Sequence, residues 1–310
     1  MCSLCGAGLD LYRRAGGEEV LAVELLYVSP RLTAAGGPPR PGQPVEPPTG
    51  IYDHWQPALA DGEPPAHRPL VAVNMVSGPD GKVTWGRDPT AEPLGSPVDR
   101  EIMRRLRQHF DAVLRGAGTV RPHPYYPKVP PDAQEDRRRR GKTRHPLAVV
   151  ITNSCELPLA SQFFTYPDAP GPTIVITSRR APAERVRAAA RVAVVRFAGE
   201  TKVDIRAALR LLRAEFGIDR LLSEGGPRLN WEFLRAGCLD ELFWTLAPKL
   251  GGYQGDLSLV QGPEVLRPAP QLELLSLYHH EGELFLRYRI RHQAPAHQTG
   301  YRDSPRLPES

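Results

Sequence analysis

The stretch Leu221–Gly252, LLSEGGPRLNWEFLRAGCLDELFWTLAPKLGG, decides the fold. Leu221-Leu222 is a short apolar run of strand length. Ser223-Glu224-Gly225-Gly226 then breaks it, and Pro227 suits the first position of a helix, where its missing N–H would have had no partner. Asn230–Leu234 carry that helix, Gly237 fits its C-terminal cap, and Leu239–Leu246 read as a second strand. Strand, glycine turn, helix and strand make a βαβ-like unit. Its turn presents free backbone N–H groups at the positive end of a helix dipole, and two glycines let an anion approach the backbone closely. Gly-Gly at such a junction also serves as a tight connection alone, so the turn by itself leaves both readings open. Glu224 adds weight: a buried, unpaired carboxylate costs several kcal/mol, so it meets either solvent or a donor, at the sheet edge where α/β ligands lie.

Outward from this unit, the pattern repeats. Leu70–Val76 is a strand with too little alternation to be half-exposed, followed by a turn at Ser77–Lys82 in which Asp80-Gly81 favours reversal. Ser96-Pro97 opens a helix with an N-cap, a first-position proline and acidic Asp99 and Glu101 in the first turn. Arg107 on that helix is either a surface charge or a group reaching a phosphate. Ala112-Val113-Leu114 is a strand ending in a second glycine-rich turn, Arg115-Gly116-Ala117-Gly118-Thr119-Val120. Two such turns suit an extended phosphate-bearing ligand, although the full G-x-G-x-x-G is absent.

Strands follow at Leu147–Thr152, Thr173–Thr177 and Val192–Arg196, and helices at Ala183–Ala190 and Val203–Phe216. Ser178-Arg179-Arg180 offers phosphate-binding arginines. Gln271–Leu277 and Glu283–Arg289 alternate as half-exposed antiparallel strands do. The fold class is α/β: a mixed, mostly parallel sheet with helices on both faces and a C-terminal antiparallel pair.

Three regions read differently. Residues 1–66 are expected to be a weakly structured extension with one strand near Val20–Val28 and a Pro/Gly linker, 67–292 the folded domain, and 293–310 a disordered tail. Residues 121–146 read as a long loop whose His123–Tyr126 portion is suited to touch a substrate and whose arginine run is solvated. Arg137, Arg138, Arg139, Arg140, Lys142 and Arg144 exceed by themselves the chain's net charge of +5. A basic loop without interleaved aromatics does not make a nucleic-acid groove. With no run of about 18 apolar residues, no membrane span is expected. Four cysteines in 310 residues are no disulfide scaffold, so the reducing cytoplasm is the expected compartment. Cys2-x-x-Cys5 is half a zinc-site spacing without a second pair, and no metal is expected.

Four blocks carry a resemblance: Asn74–Lys82 (NMVSGPDGK), Leu106–Val120 (LRQHFDAVLRGAGTV), Ser223–Leu229 (SEGGPRL) and Ala236–Gly252. In them residues 68–291 resemble the reductase domain of bacterial riboflavin-biosynthesis deaminase-reductases, which has a dihydrofolate-reductase-like fold, and in particular its stand-alone pyrimidine reductases. The zinc motif of the deaminase half, H-x-E followed by P-C-x-x-C, has no counterpart: His279-His280-Glu281 lacks the cysteine pair.

The resemblance implies an NADPH-dependent, homodimeric reductase. It would convert the ribosylamino group of 5-amino-6-(5-phosphoribosylamino)uracil, or a related pyrimidine, to the ribityl form. It also implies that Val76, Gly116, Gly118, Thr119, Asn153, Gly225, Gly226, Pro227, Arg228 and Leu229 hold the cofactor. Arg107, His123 and Glu224 would face the substrate, Arg107 toward its phosphate. Glu224 and Asp80 are the catalytic candidates, with Asp80 also shaping the first turn. A pterin, folate or specialised-metabolite reductase and an inactive cofactor-binding protein are the alternatives. The chain departs from the family pattern at Asn74, where bifunctional members carry Lys. It departs again at Gly78-Pro79, at Ala91 and Pro93, and at Arg121-Pro122-His123-Pro124, where an acidic residue is usual.

Overall fold

A computed structural model describes residues 23–29, 32, 44–45, 48–58, 65–86 and 93–291. Cys2, Cys5, Ala91, the 293–310 tail and most of the Pro/Gly linker lie outside these residues. In chain order the elements begin with β1 (Val23–Val28), β2 (Pro44–Val45), β3 (Leu70–Ser77), α1 (Pro97–Leu106), β4 (Ala112–Gly116) and α2 (Ala117–Val120). Then come α3 (Pro131–Arg139), β5 (Leu147–Ile151), α4 (Gln162–Thr165), β6 (Thr173–Thr177), α5 (Ala183–Ala189) and β7 (Ala193–Phe197). The last are α6 (Ile205–Phe216), β8 (Arg220–Ser223), α7 (Pro227–Arg235), β9 (Glu241–Leu246), β10 (Gln271–His280) and β11 (Glu283–Arg291).

Among the described residues all strands join one sheet, ordered β2-β1-β10-β11-β9-β3-β8-β4-β5-β6-β7. From β9 to β7 neighbours are parallel, and from β9 to β2 they are antiparallel. The parallel block forms because its apolar strands are separated by helices that cover both faces. On one face α6 and α7 pack through Leu209, Leu212, Leu229 and Phe233 onto Val71, Val73, Leu114 and Val149. On the other α1 packs through Val98, Ile102 and Leu106 onto Leu70, Ala72, Val113 and Phe243. Phe163 and Phe164 of α4 continue that face over Val150 and Val175.

Local signals act as the sequence implies. The Ser96 hydroxyl accepts from the Asp99 N–H at 3.0 Å, and Gly217 and Gly237 take left-handed φ of 62° after α6 and α7. Asp80-Gly81 makes a tight turn, Gly78 N donating to Lys82 O at 2.9 Å, and the chain continues irregularly rather than as a hairpin strand.

Two expectations are corrected. The segment ahead of residue 67 contributes to the fold: β1 pairs with β10, and Val23, Leu25, Ile51, Tyr52 and Trp55 are buried in the core beneath α1. The Trp55 indole donates to Glu241 at 3.0 Å, and Arg287 holds the same carboxylate at 2.9 and 3.0 Å. The supposed loop 121–146 contains α3, and its arginine run is not all solvated. Arg137 is 1% exposed and donates to the carbonyls of Thr143, Gln108 and Phe110 at 2.7, 3.0 and 2.6 Å. The Gln108 and Phe110 carbonyls lie just after α1 and the Thr143 carbonyl just after α3, and the planar guanidinium satisfies all three at once.

Candidate active site

The two glycine turns stand side by side because β4 and β8 are neighbours in register, Leu114 opposite Ser223. Glu224 N donates to Leu114 O at 2.9 Å, and Gly116 N donates to Gly225 O at 2.8 Å. The Gly225–Gly226 peptide is cis. Gly225 has φ of +81°, and a Cβ there would lie 2.9 Å from Met75 Sδ, so glycine is required on both counts. A Cβ on Gly226 would lie 3.3 Å from Thr119 Oγ1, whereas one on Gly118 would meet nothing within 4 Å. The turns thus touch each other on one side and open into space on the other.

That space is a groove of about 2130 Å³. Gly116, Gly118, Thr119, Gly226, Pro227, Arg228 and Leu229 line it, together with Val76 and Asn153. Gly225 lies behind them, holding the turns together through its carbonyl. Asn153 is fixed by accepting from Val203 N at 2.9 Å. Ordinary small-ligand pockets hold roughly 300–1,000 Å³, so the groove has room for a dinucleotide and a second ligand together. Arg104, Arg121, Lys128, Lys202 and Arg228 along it suit phosphates.

Glu224 follows the last residue of β8 and projects to the face covered by α1. Its carboxylate accepts from Arg107 Nε and Nη2 at 2.5 and 3.1 Å and from Arg115 Nε and Nη2 at 3.0 and 2.6 Å. All three side chains are nearly buried, 6–8% exposed. Burial alone raises the carboxyl's pKa, but Arg107 and Arg115 more than reverse this and hold it down at about 2. The low pKa and the hydrogen bonds from two guanidinium groups suit Glu224 to electrostatic positioning.

Arg107 is not a surface charge: it is buried, lines the groove, and besides holding Glu224 donates from Nη1 to Lys128 O at 2.9 Å. Asp80 sits where the turn reading puts it. It is exposed, lies outside the groove lining, and accepts from the N–H groups of Lys82, Gly251 and Gly252 at 3.3, 3.1 and 2.9 Å. The Gly252 hydrogen bond leads those that lower its pKa, and its function is to tie two loops together. His123 lines the groove, with its N–H on Thr119 O at 3.1 Å. Arg115 was not anticipated. The available signal was a charge inside the otherwise apolar strand Ala112–Gly116, and Arg115 also anchors the loop that follows α2 by donating to Tyr125 O at 2.9 Å. Among the described residues no group of three or more His, Cys, Asp or Glu is arranged to hold a metal.

The RibD C-terminal domain model matches residues 69–286. The chain belongs to that family. Within the family, the 2,5-diamino-6-ribosylamino-4(3H)-pyrimidinone 5′-phosphate reductase of Archaeoglobus fulgidus is 32% identical over 203 residues, 64% of this chain and 90% of that protein. The reductase of the same name from Methanothermobacter thermautotrophicus is 28% identical over 226 residues, 72% of this chain and 99% of that one. Among solved structures, a pyrimidine reductase-like protein from Corynebacterium diphtheriae shares the fold with a TM-score of 0.65 at 23% identity, covering 73% of this chain and 93% of that one. The family match begins after β1 and Trp55, which the structure nevertheless builds into the core.

Proposed function

We propose that this protein is an NADPH-dependent reductase of the riboflavin pathway. It converts the ribosylamino group of a 6-ribosylaminopyrimidine 5′-phosphate to the ribityl form. The observation that carries the reading is the contact of the two glycine turns: side-chain-free backbone at Gly118 and Gly226 opens into one groove large enough for both ligands. Its relatives' names supply the substrate class. The uracil derivative and the 2,5-diaminopyrimidinone differ only at the 2-position, as oxo or amino.

The residues fit a dinucleotide. Gly226, Thr119 and the N-terminus of α7 would receive its pyrophosphate, Asn153 and Val203 would border its far end, and Val76 would border the nicotinamide. Bound there, the cofactor supplies a hydride. In the overall change the hydride adds to C1′ of the ribosylamino group, the C1′–O4′ bond opens, and O4′ takes a proton. The chain's task is placement. Arg107 and Arg115 fix Glu224, and with two guanidinium groups against one carboxylate the cluster between the turns and α1 keeps a net positive charge. A homodimer in the cytoplasm completes the proposal; no described helix is long and apolar enough to cross a membrane.

The test is to follow loss of reduced nicotinamide absorbance with the two pyrimidine phosphates, and with a pterin and a folate, using NADPH and NADH in turn. Turnover of either pyrimidine phosphate with NADPH supports the proposal. Turnover of the pterin or folate alone replaces the substrate, and binding of NADPH with no turnover reduces the protein to a cofactor-binding one.

A further inference from the structure

Asp99 is a buried acid that the proposed chemistry has not used. It sits in the first turn of α1, 7% exposed, and borders the groove together with Asn74, Val76 and Met103. The Thr245 hydroxyl hydrogen-bonds its carboxyl, and Thr245 stands opposite Val76 in the β3–β9 register. Space for the carboxyl is made by a glycine: a Cβ on Gly95 would lie 2.3 Å from Asp99 Oδ2.

Among the described residues the cations facing Asp99 are engaged elsewhere. Of the two basic groups facing it, Arg100 donates to Gly95 O at 2.8 Å, and Lys249 donates to the Pro93 and Leu94 carbonyls at 2.7 and 2.9 Å. Tyr52 and Glu283 also face it, the second an acid. Among the described residues no ion pair to Asp99 forms. Burial raises its pKa to about 6, with Thr245 opposing the rise, so the charged form is held at a cost. Such a group is costly unless donors arrive from elsewhere, and this one borders the groove.

We propose that Asp99, steadied by Thr245, reads the 2-position of the pyrimidine and selects the 2-amino substrate over the 2-oxo one. This rests on the reductase reading above. The 2,5-diaminopyrimidinone presents an amino group and N3–H side by side, two donors that match the two oxygens of one carboxylate. The uracil form presents O2 beside N3–H, so one carboxylate oxygen faces another acceptor. An amide at position 99 reverses the match, offering one acceptor and one donor, which suits the uracil edge.

The experiment measures kcat/KM for both pyrimidine phosphates, with NADPH saturating, on the wild type, Asp99→Asn and Thr245→Val. It adds calorimetric binding of both ribityl products and a melting curve for each variant. The wild type should prefer the 2-amino substrate by about 10- to 100-fold, the value of a charge-assisted hydrogen bond. Asp99→Asn should invert the preference with NADPH affinity unchanged, and Thr245→Val should narrow it. Asp99→Asn removes a buried charge and keeps the shape, so its melting temperature should not fall. Equal use of both substrates by the wild type, or equal loss on both in Asp99→Asn, overturns the assignment and leaves the reductase reading intact. Absence of turnover together with absence of binding for both pyrimidines overturns the assignment and the reductase reading together.

Discussion

Arg115 and Glu224, 109 positions apart in the chain, meet through hydrogen bonds of 3.0 and 2.6 Å where β4 and β8 run side by side. The pair joins the two glycine turns from below, so what holds the groove together is electrostatic as well as backbone. Removing one member of a buried ion pair leaves the other charge desolvated. Arg115→Met should therefore destabilise by about 3 kcal/mol, since Arg107 remains beside Glu224. Urea unfolding measures it, and a loss under about 0.5 kcal/mol, the range of ordinary surface changes, would show that the pair is not coupled to the fold.

Acid should expose the same arrangement. The Glu224 carboxyl is held at about 2 against its ordinary 4.5, so between those values the unfolded chain takes up a proton that the folded one refuses. Its stabilising contribution is complete above pH 4.5 and is lost as pH falls toward 2, roughly 3 kcal/mol over the window. Glu224→Gln should flatten that part of the stability–pH curve, at the cost of lower stability at neutral pH. The same variant should lose turnover more than cofactor affinity, and parallel titration and kinetics separate the two.

The cofactor assignment is exposed to a single substitution. Gly226→Val fits its own backbone, at φ of −93°, but puts a branched side chain against Thr119 Oγ1 and into the groove. NADPH affinity should fall at least about tenfold, about 1.4 kcal/mol, with the melting temperature of the free protein nearly unchanged. A titration that reads the same affinity would move the cofactor elsewhere.

The arginine run should divide sharply. Arg137→Ala leaves the carbonyls of Gln108, Phe110 and Thr143 without a donor and should cost about 3 kcal/mol. Arg138→Ala and Arg139→Ala remove only exposed i,i+3 pairs, with Glu135 and Asp136, and should change stability by less than about 0.5 kcal/mol. Denaturant midpoints of the three variants suffice.

Trp55 tests the domain's true beginning. It stacks on Phe110 at 4.9 Å between ring centres, with Arg287 over its face at 5.8 Å. Trp55→Ala should destabilise by about 3–5 kcal/mol, and a chain started at residue 67 should fail to fold stably. A truncated chain as stable as the full one, by circular dichroism melting, would show that the family-matched core suffices.

The sequence by itself determined the parallel strands, the covering helices and the two glycine turns. Each is written in a local pattern: an unbroken apolar run, Ser96 before Pro97, Gly237 at a helix end, Gly225-Gly226 at a strand end. The four motif blocks carried the family in the same way. Tertiary structure alone decided what each charged residue does. Arg107, Arg115 and Arg137 look alike as letters, yet two neutralise Glu224 and one caps orphan carbonyls. Asp99 reads as an ordinary helix-start acid until packing buries it, and Asp80 reads as a turn residue whose ties to Gly251 and Gly252 only the fold reveals. A side chain's charge is local information, but its energy depends on partners and solvent that arrive from distant segments, and only the folded chain brings those together.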